Sequence, residues 1–410
     1  MPPAPYRPCG SVAGMKLIHT ADWHLGRLFH NVHLTRDQAH ALEQLVALIA
    51  EVRPAAVIVA GDLYDRAVPP TEAVDLLDRV FTEIVDGLGV PVVAIAGNHD
   101  SAVRVGFASA LLRQRGLHLV GELGQAASPI VLHDEYGPVH VCALPFADPA
   151  EARHAYGDAD IHDQQAVAAA GVARALASVP AGERRVLVAH AFVAGGLESE
   201  SERPLSVGGA QQVPAAVLGG FDYVALGHLH RPQPCGSETV RYSGSLLKYS
   251  FAEHAHDKSV TIVDIGAPGS AGGDPGAAGR PLVTVATVTL TPRRDVRRLD
   301  GTLAELLARG PVDPHRDDYV LASLLDDGAL FDPIGRLRAA YPNTLAIERP
   351  AYERVGAEGP RRPRPGSVGD VELFEAFFRY ATDDELGVER RAALTDVVDL
   401  LERRRREASS

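Results

Sequence analysis

Seven side chains of metal-binding type fall just after apolar runs in this chain. Asp22 and His24 follow "KLIHT", Asp62 follows "AAVIVAG", and Asn98 follows "VVAIAG". His190 follows "RRVLVA", and His228 and His230 follow "FDYVALG". Asp22/His24 and His228/His230 are each spaced by two, so each pair can share one side of an extended segment. A lone His or Asp at a strand end is ordinarily a turn residue or a cap. Here an apolar strand followed by Gly and then Asp, Asn or His recurs, and that repetition favours a shared site. Two carboxylates, one amide and four imidazoles make seven ligands, enough for two ions if one carboxylate bridges. Mixed carboxylate and imidazole donors suit Mn²⁺, Fe²⁺ or Zn²⁺ better than Mg²⁺ or Ca²⁺. Two such ions close together stabilise the attacking and leaving oxygens of phosphoryl transfer. The expected chemistry is phosphoester hydrolysis at a dinuclear centre.

Two neighbours of these residues stand apart. His99 directly follows Asn98 in "IAGNHDSAVR", so its ring points elsewhere if Asn98 faces metal. An imidazole there can act as a proton donor, or as a turn histidine bonded to Asp100. Asp100 can equally orient His99. Asp65, which ends "GDLYD", reads equally as a cap or as a catalytic group.

Bringing these residues together needs alternating strands and helices, because ligands in such sheets lie beyond the carboxyl ends of the strands. "TRDQAHALEQLVALIAEV" and "PPTEAVDLLDRVFTEIVDGL" have helical apolar spacing. "RVGFASALLRQRG" and "QQAVAAAGVARALASV" read as further helices, and the apolar runs between them read as buried strands. The expected class is layered α/β over residues 15–265, after a Pro/Gly/Ala leader at 1–14. Residues 266–280 read as a glycine-rich linker and 281–350 as a small α+β module. Residues 351–367 form a second Pro/Gly break, and 368–410 a helical tail turning near Leu386–Gly387.

The chain has 410 residues, 46% of them hydrophobic, and a net charge of −13. That charge argues against coating nucleic acid by bulk electrostatics, though an acidic protein can hold phosphates through bound cations. Its three cysteines have no metal spacing, which fits a reducing cytoplasm. No signal peptide, membrane span or P-loop pattern is expected.

The ordered pieces "DWH", "GDLYD", "GNHD", His190 and "GHLH" resemble the calcineurin-like metallophosphoesterase superfamily. Within it, "LIHTADWHLGR", "GDLYDRAVPP", "GHLHRPQ" and "YSGSLLKYSF" are similar to the SbcD family of bacterial nuclease subunits. The resemblance covers roughly residues 15–400. It implies a layered β-sandwich flanked by helices, a small α+β capping domain that contacts DNA, and a helical partner-binding tail. Asp22, His24 and His230 would hold one ion and Asn98, His190 and His228 the other, with Asp62 bridging. His99 and Asp65 would be catalytic, and the two ions Mn²⁺. The implied reaction is one-step in-line hydrolysis, with His99 assisting at the leaving 3′-oxygen. The implied activity is a 3′–5′ exonuclease on double-stranded DNA and an endonuclease on single strands, at ends and hairpins. It would serve DNA repair, recombination and replication in the cytoplasm, acting at the nucleoid. The partner would be an SbcC-like ATPase, bound by the tail, and the form a homodimer within a heterotetramer. The helices near 71–88 and 101–115 would make the dimer contact, and Arg293, Arg294, Arg297 and Arg298 would meet phosphates. The rival enzyme reading is a stand-alone phosphodiesterase acting on nucleotides or small esters.

Overall fold

The computed structural model describes residues 14–126, 128–202, 212–271, 279–328 and 330–350, and parts of 371–398. Residues 1–13 of the expected leader, the centre of the glycine-rich segment and the break at 351–367 lie outside the described residues, while Gly14, the last residue of that leader, begins a strand. Two six-stranded sheets form the body. In the first, Gly14–Thr20, Ala56–Val59, Val92–Ile95 and Leu117–Val120 run parallel in that spatial order. Ser259–Gly266 and then Val283–Thr289 add antiparallel strands beyond Gly14–Thr20. In the second, Val240–Tyr242, Tyr223–Gly227, Arg184–His190 and Gly137–Leu144 run parallel. Gln233–Ser237 and Ile130–Asp134 are its antiparallel edges.

The alternation of each strand decides the layers, because successive side chains leave opposite faces. Met15, Leu17, Ala56, Ile58, Val93 and Ile95 face the second sheet, where they meet Val139, Val141, Val186, Val188 and Tyr223. Ile18, Val57, Val59, Val92 and Ala94 face the other way, onto helices Thr35–Val52 and Thr71–Thr82. Cys142, Leu144, Leu187 and Leu226 likewise face helix Gln164–Ala177 through Val167, Ala168 and Val172. The result is a β-sandwich with helices on both outer faces, so the parallel strands are buried on both sides and read as continuous apolar runs. Leu42, Leu45 and Ile49 on Thr35–Val52 are fully buried, each worth about 1.5–3 kcal/mol.

A smaller module follows. Val296–Gly301, Tyr319–Leu324 and Thr344–Glu348 form a parallel three-stranded sheet. The crossovers run through helices Leu303–Arg309 and Pro333–Ala340. Leu299, Leu306, Val320, Leu324 and Leu337 make its own core. It is seated on the body by Tyr319, whose hydroxyl donates to Asp37 Oδ2 at 3.0 Å, and by Val296. In the tail, described residues within 371–379 and 388–398 are helical. Arg391 Nε lies 2.7 Å from Glu375 Oε1, joining the two segments.

Two local readings change. "RVGFASALLRQRG" is not one helix but two short ones, Ala102–Val105 and Ser109–Leu112. Gly106 is a poor helix former, and Ala108 turns left-handed at φ 56°. Val283–Thr289 extends the first sheet, so the body takes in residues beyond the glycine-rich segment. The arginines expected to meet phosphates are engaged within the protein. Arg293 lies 3.5 Å from Asp37, Arg297 3.0 Å from Asp313 and Arg298 3.1 Å from Glu348. Arg294 lies over the Tyr319 ring.

Candidate metal centre

The carboxyl ends of five parallel strands, three from the first sheet and two from the second, meet at one edge of the sandwich. Past Gly14–Thr20 the chain turns left-handed at Asp22 and His24, with φ of 54° and 44°. Asp62 and His228 have φ of 51° and 111°. Positive φ costs a non-glycine residue energy and clusters at functional sites. Glycines make room between the strand ends. A Cβ on Gly97 would collide with the Asp62 carboxylate, and one on Gly61 with the His190 ring.

All seven sequence-predicted ligands converge there. Asp22, His24 and His230 offer ligand atoms within 4.8 Å of one another, as do Asp22, Asp62 and His190. His24 Nε2 and His230 Nε2 face each other at 3.0 Å. Asp62 Oδ2 lies 3.6 Å from His24 Nε2 and 3.5 Å from His190 Nε2, between the two halves of the cluster. Asn98 Oδ1 is 2.9 Å from His190 Nε2 and 3.2 Å from His228 Nδ1. Donor atoms about 3 Å apart are what neighbouring ligands of one ion show when each bond is about 2.1 Å.

The electrostatics fit a cation as well. Burial pushes the Asp62 carboxyl up to about 6 and raises Asp22 well above the carboxylate range. Burial also lowers His190 and His230 to about 4, and His24 and His228 well below the usual imidazole value. With the imidazoles neutral, the ion pairs that Asp62 makes with His24 and His190 carry no positive charge, and Lys258 and Arg27 act on the two carboxylates only from a distance. Such buried charge needs a positive partner, and divalent ions supply it.

Backbone and side-chain donors orient the ligands. The His228 N–H donates to Asp22 Oδ1 at 2.9 Å, and the His99 N–H to Asp62 Oδ1 at 2.9 Å. His190 Nδ1 lies 2.9 Å from the Ala60 carbonyl, which presents Nε2 to the site. His99 Nδ1 is 2.8 Å from the Asp65 carbonyl, so its ring is aimed by Asp65 backbone and not by Asp100. The Asp100 carboxylate accepts instead from the N–H groups of Leu63, Tyr64 and Gly97 at 2.9–3.0 Å. It ties two ligand loops together. The Asp65 carboxylate pairs with Arg27 at 3.1 Å and lies 3.8 Å from His24 Nδ1.

Several supporting residues escape a reading of the sequence. Gln38 donates to the carbonyls of Trp23 and His24 at 3.1 and 2.7 Å, and Tyr249 donates to the Trp23 carbonyl. Gln38 carries a signal: it is a polar residue in line with the apolar Ala41, Leu42, Leu45 and Ile49 of its helix. Ser201, Glu202, Glu253 and Lys258 surround His230, and no periodicity marks them. Beside the centre lies a cleft of about 470 Å³, with Arg27, Ser201 and Tyr249 on the body side and Leu321, Ile347 and Glu348 on the small module.

Comparison with known proteins agrees with this geometry. The family model described as calcineurin-like phosphoesterase matches residues 15–232. A second, described as the type 5 capsule protein repressor C-terminal domain, matches residues 292–382. The chain is 29% identical over 372 residues to the SbcD subunit of nuclease SbcCD from Staphylococcus epidermidis, covering 91% of this chain and 95% of that protein. Among solved structures, TT1561 of Thermus thermophilus is 14% identical with a TM-score of 0.36, covering 60% of this chain and 94% of that one. A dimetal phosphatase from Danio rerio is 14% identical with a TM-score of 0.37, covering 68% and 99%.

Proposed function

The chain belongs to the calcineurin-like phosphoesterase family and is a metal-dependent phosphoesterase, and from that premise we propose that it is a Mn²⁺-dependent DNA nuclease subunit working with an SbcC-like ATPase. Its reactions are 3′–5′ exonuclease action on double-stranded DNA and endonuclease action on single strands. The observation that carries this reading is the extent of the similarity. The relative named as a nuclease subunit matches 91% of the chain, so body, small module and tail are included and not the phosphoesterase core alone.

In this reading Asp22, His24 and His230 would hold one ion, Asn98, His190 and His228 would hold the other, and Asp62 would serve both. When bound, the ions supply Lewis-acid stabilisation of the charge that develops on the phosphate. The remaining work falls to the chain. The Asp65 carbonyl holds the Nδ1–H of His99, so that when the ring is an imidazolium its Nε2 proton can pass to the leaving oxygen, leaving the neutral Nδ1–H form behind. The cleft beside the centre receives the strand, and the small module forms its far wall. The tail helices bind the ATPase. Exposed Val74, Val103, Phe107 and Leu111 on the helices around 71–112 support a homodimer within a heterotetramer. Such an apolar group on a monomer's surface is a usual mark of an interface.

The test is cleavage of end-labelled linear duplex DNA by the purified chain with Mn²⁺, with and without the ATPase and ATP. Stepwise shortening, stimulated by partner and ATP, is expected. Hydrolysis of small phosphodiesters or nucleotides with no cleavage of DNA under any condition would overturn the reading in favour of a stand-alone phosphodiesterase.

A further inference from the structure

His230 is gripped at three points. Its N–H donates to Glu202 Oε1 at 2.6 Å, its carbonyl accepts from Lys258 Nζ at 2.7 Å, and its Nδ1 lies 2.6 Å from Ser201 Oγ. Ser201 Oγ is also 2.5 Å from Glu253 Oε1, and Glu253 Oε2 is 2.5 Å from Lys258 Nζ. Glu253 and Lys258 are both buried.

The proton count along this chain has one solution. Glu253 is ion-paired with the Lys258 ammonium, and its Oε1 accepts from the Ser201 hydroxyl. An ionised carboxylate only accepts, so the single proton of the Ser201 hydroxyl goes to Glu253. Ser201 Oγ can then only accept from His230, which places that ring's proton on Nδ1. Nε2 is left with its lone pair directed at His24, in the cluster those two histidines form with Asp22. That is the tautomer a metal ligand needs, and a second partner on the far nitrogen is the usual way to fix it.

We infer that Lys258, Glu253 and Ser201 are positioning residues: together they fix the tautomer and orientation of His230 and thereby set the affinity of one of the two ion sites. The inference rests on the metal reading given above. It explains why the chain buries an ion pair that touches no substrate. A buried pair contributes little net stability compared with apolar residues of the same size, so its role lies in what it orients.

Removing Glu253 or Lys258 alone leaves the other as an unpaired buried charge and endangers folding. Ser201 is the informative position. Mn²⁺ is titrated into the full-length wild-type, Ser201→Ala and Ser201→Thr proteins, with bound ions counted and thermal unfolding of the metal-free forms recorded. The wild type should take up two ions. In Ser201→Ala one site should weaken about 10- to 100-fold, as loss of such an outer partner typically does. The other site should not change, and the metal-free variant should still unfold cooperatively, its melting temperature lowered no further than the loss of one buried hydrogen bond explains. Ser201→Thr, which keeps the hydroxyl, should restore the weakened site. Two wild-type affinities in Ser201→Ala, equal weakening of both sites, or no rescue by threonine would each overturn the inference while leaving the metal reading intact. A wild-type protein that binds no Mn²⁺ would overturn both.

Discussion

Asn98 and His99 are adjacent, yet the chain gives them different work. Asn98 Oδ1 joins His190 and His228, while the His99 ring is turned aside onto the Asp65 carbonyl. His99→Leu should therefore retain both ions and lose about 100-fold or more in cleavage, the usual scale of a general acid. Metal counting beside a rate measurement checks it, and loss of an ion from the folded variant would refute the assignment. Asp62 stands between His24 and His190. Asp62→Asn should weaken both ions and His24→Ala chiefly one; equal loss of a single ion in both variants would remove the bridge. The pH dependence has a definite sign. Burial lifts the Asp62 carboxyl to about 6, so in the metal-free protein it takes up a proton as pH falls through that value. An entering ion must displace that proton. Calorimetric titration should show weaker Mn²⁺ binding at about pH 5.5 than at about pH 7.5, with proton release at the lower pH; equal affinities would contradict this. Asp100 is a different kind of residue. It accepts from three backbone N–H groups and reaches no ring nitrogen. Asp100→Ala should cost about 2–3 kcal/mol in denaturant unfolding, because donors are left unpaired in a buried loop; a change near zero would show that water replaces it.

At the scale of elements, the convergence of the seven candidate ligands was legible because each follows a strand buried on both faces, and such strands read as unbroken apolar runs. "AAVIVAGD" and "VVAIAGN" need no partner to be recognised. What was not legible is whatever depends on pairing across long sequence separations. Val283–Thr289 joins Ser259–Gly266 across the glycine-rich segment, and composition there suggests only a break. Ser201 lies in "LESESER", which reads as a solvated loop, yet its hydroxyl is joined to the buried Glu253 and Lys258. Gln38 was within reach, since a polar residue in line with the apolar face of a helix asks for a buried partner. The carboxylates that pair with the arginines at 293–298 are likewise invisible in the sequence, since they come from other segments of the chain. The tail carries its own prediction. Its described residues within 371–379 and 388–398 are helical and include exposed Phe374, Val388 and Val397. Truncation after residue 365 should spare metal-dependent cleavage of a small phosphodiester, because the body and small module hold separate cores. Co-elution with an SbcC-like ATPase should be lost. Tight co-elution of the truncated chain would place the partner contact elsewhere.

For the whole molecule, the sandwich matters because two sheets deliver ligands to a single edge. Asp22, His24, Asp62 and Asn98 come from the first sheet; His190, His228 and His230 come from the second. The halves of the centre can keep their spacing only if the inter-sheet core holds, and that core is fully dry around Leu17, Ile58, Val188 and Ala225. The small module then closes one side of the approach through Tyr319 and Asp37. Net charge of −13 makes that approach unfavourable for a polyanion unless cations are present, so ion binding prepares both the reaction and the encounter. All of this depends on two ions sharing one carboxylate. The most direct measurement is electron paramagnetic resonance of the full-length chain during Mn²⁺ titration. Two Mn²⁺ per chain with the spectrum of an exchange-coupled pair, reverting to uncoupled ions in Asp62→Asn, is the predicted result. A single Mn²⁺ per chain, or two that never couple, would contradict the account.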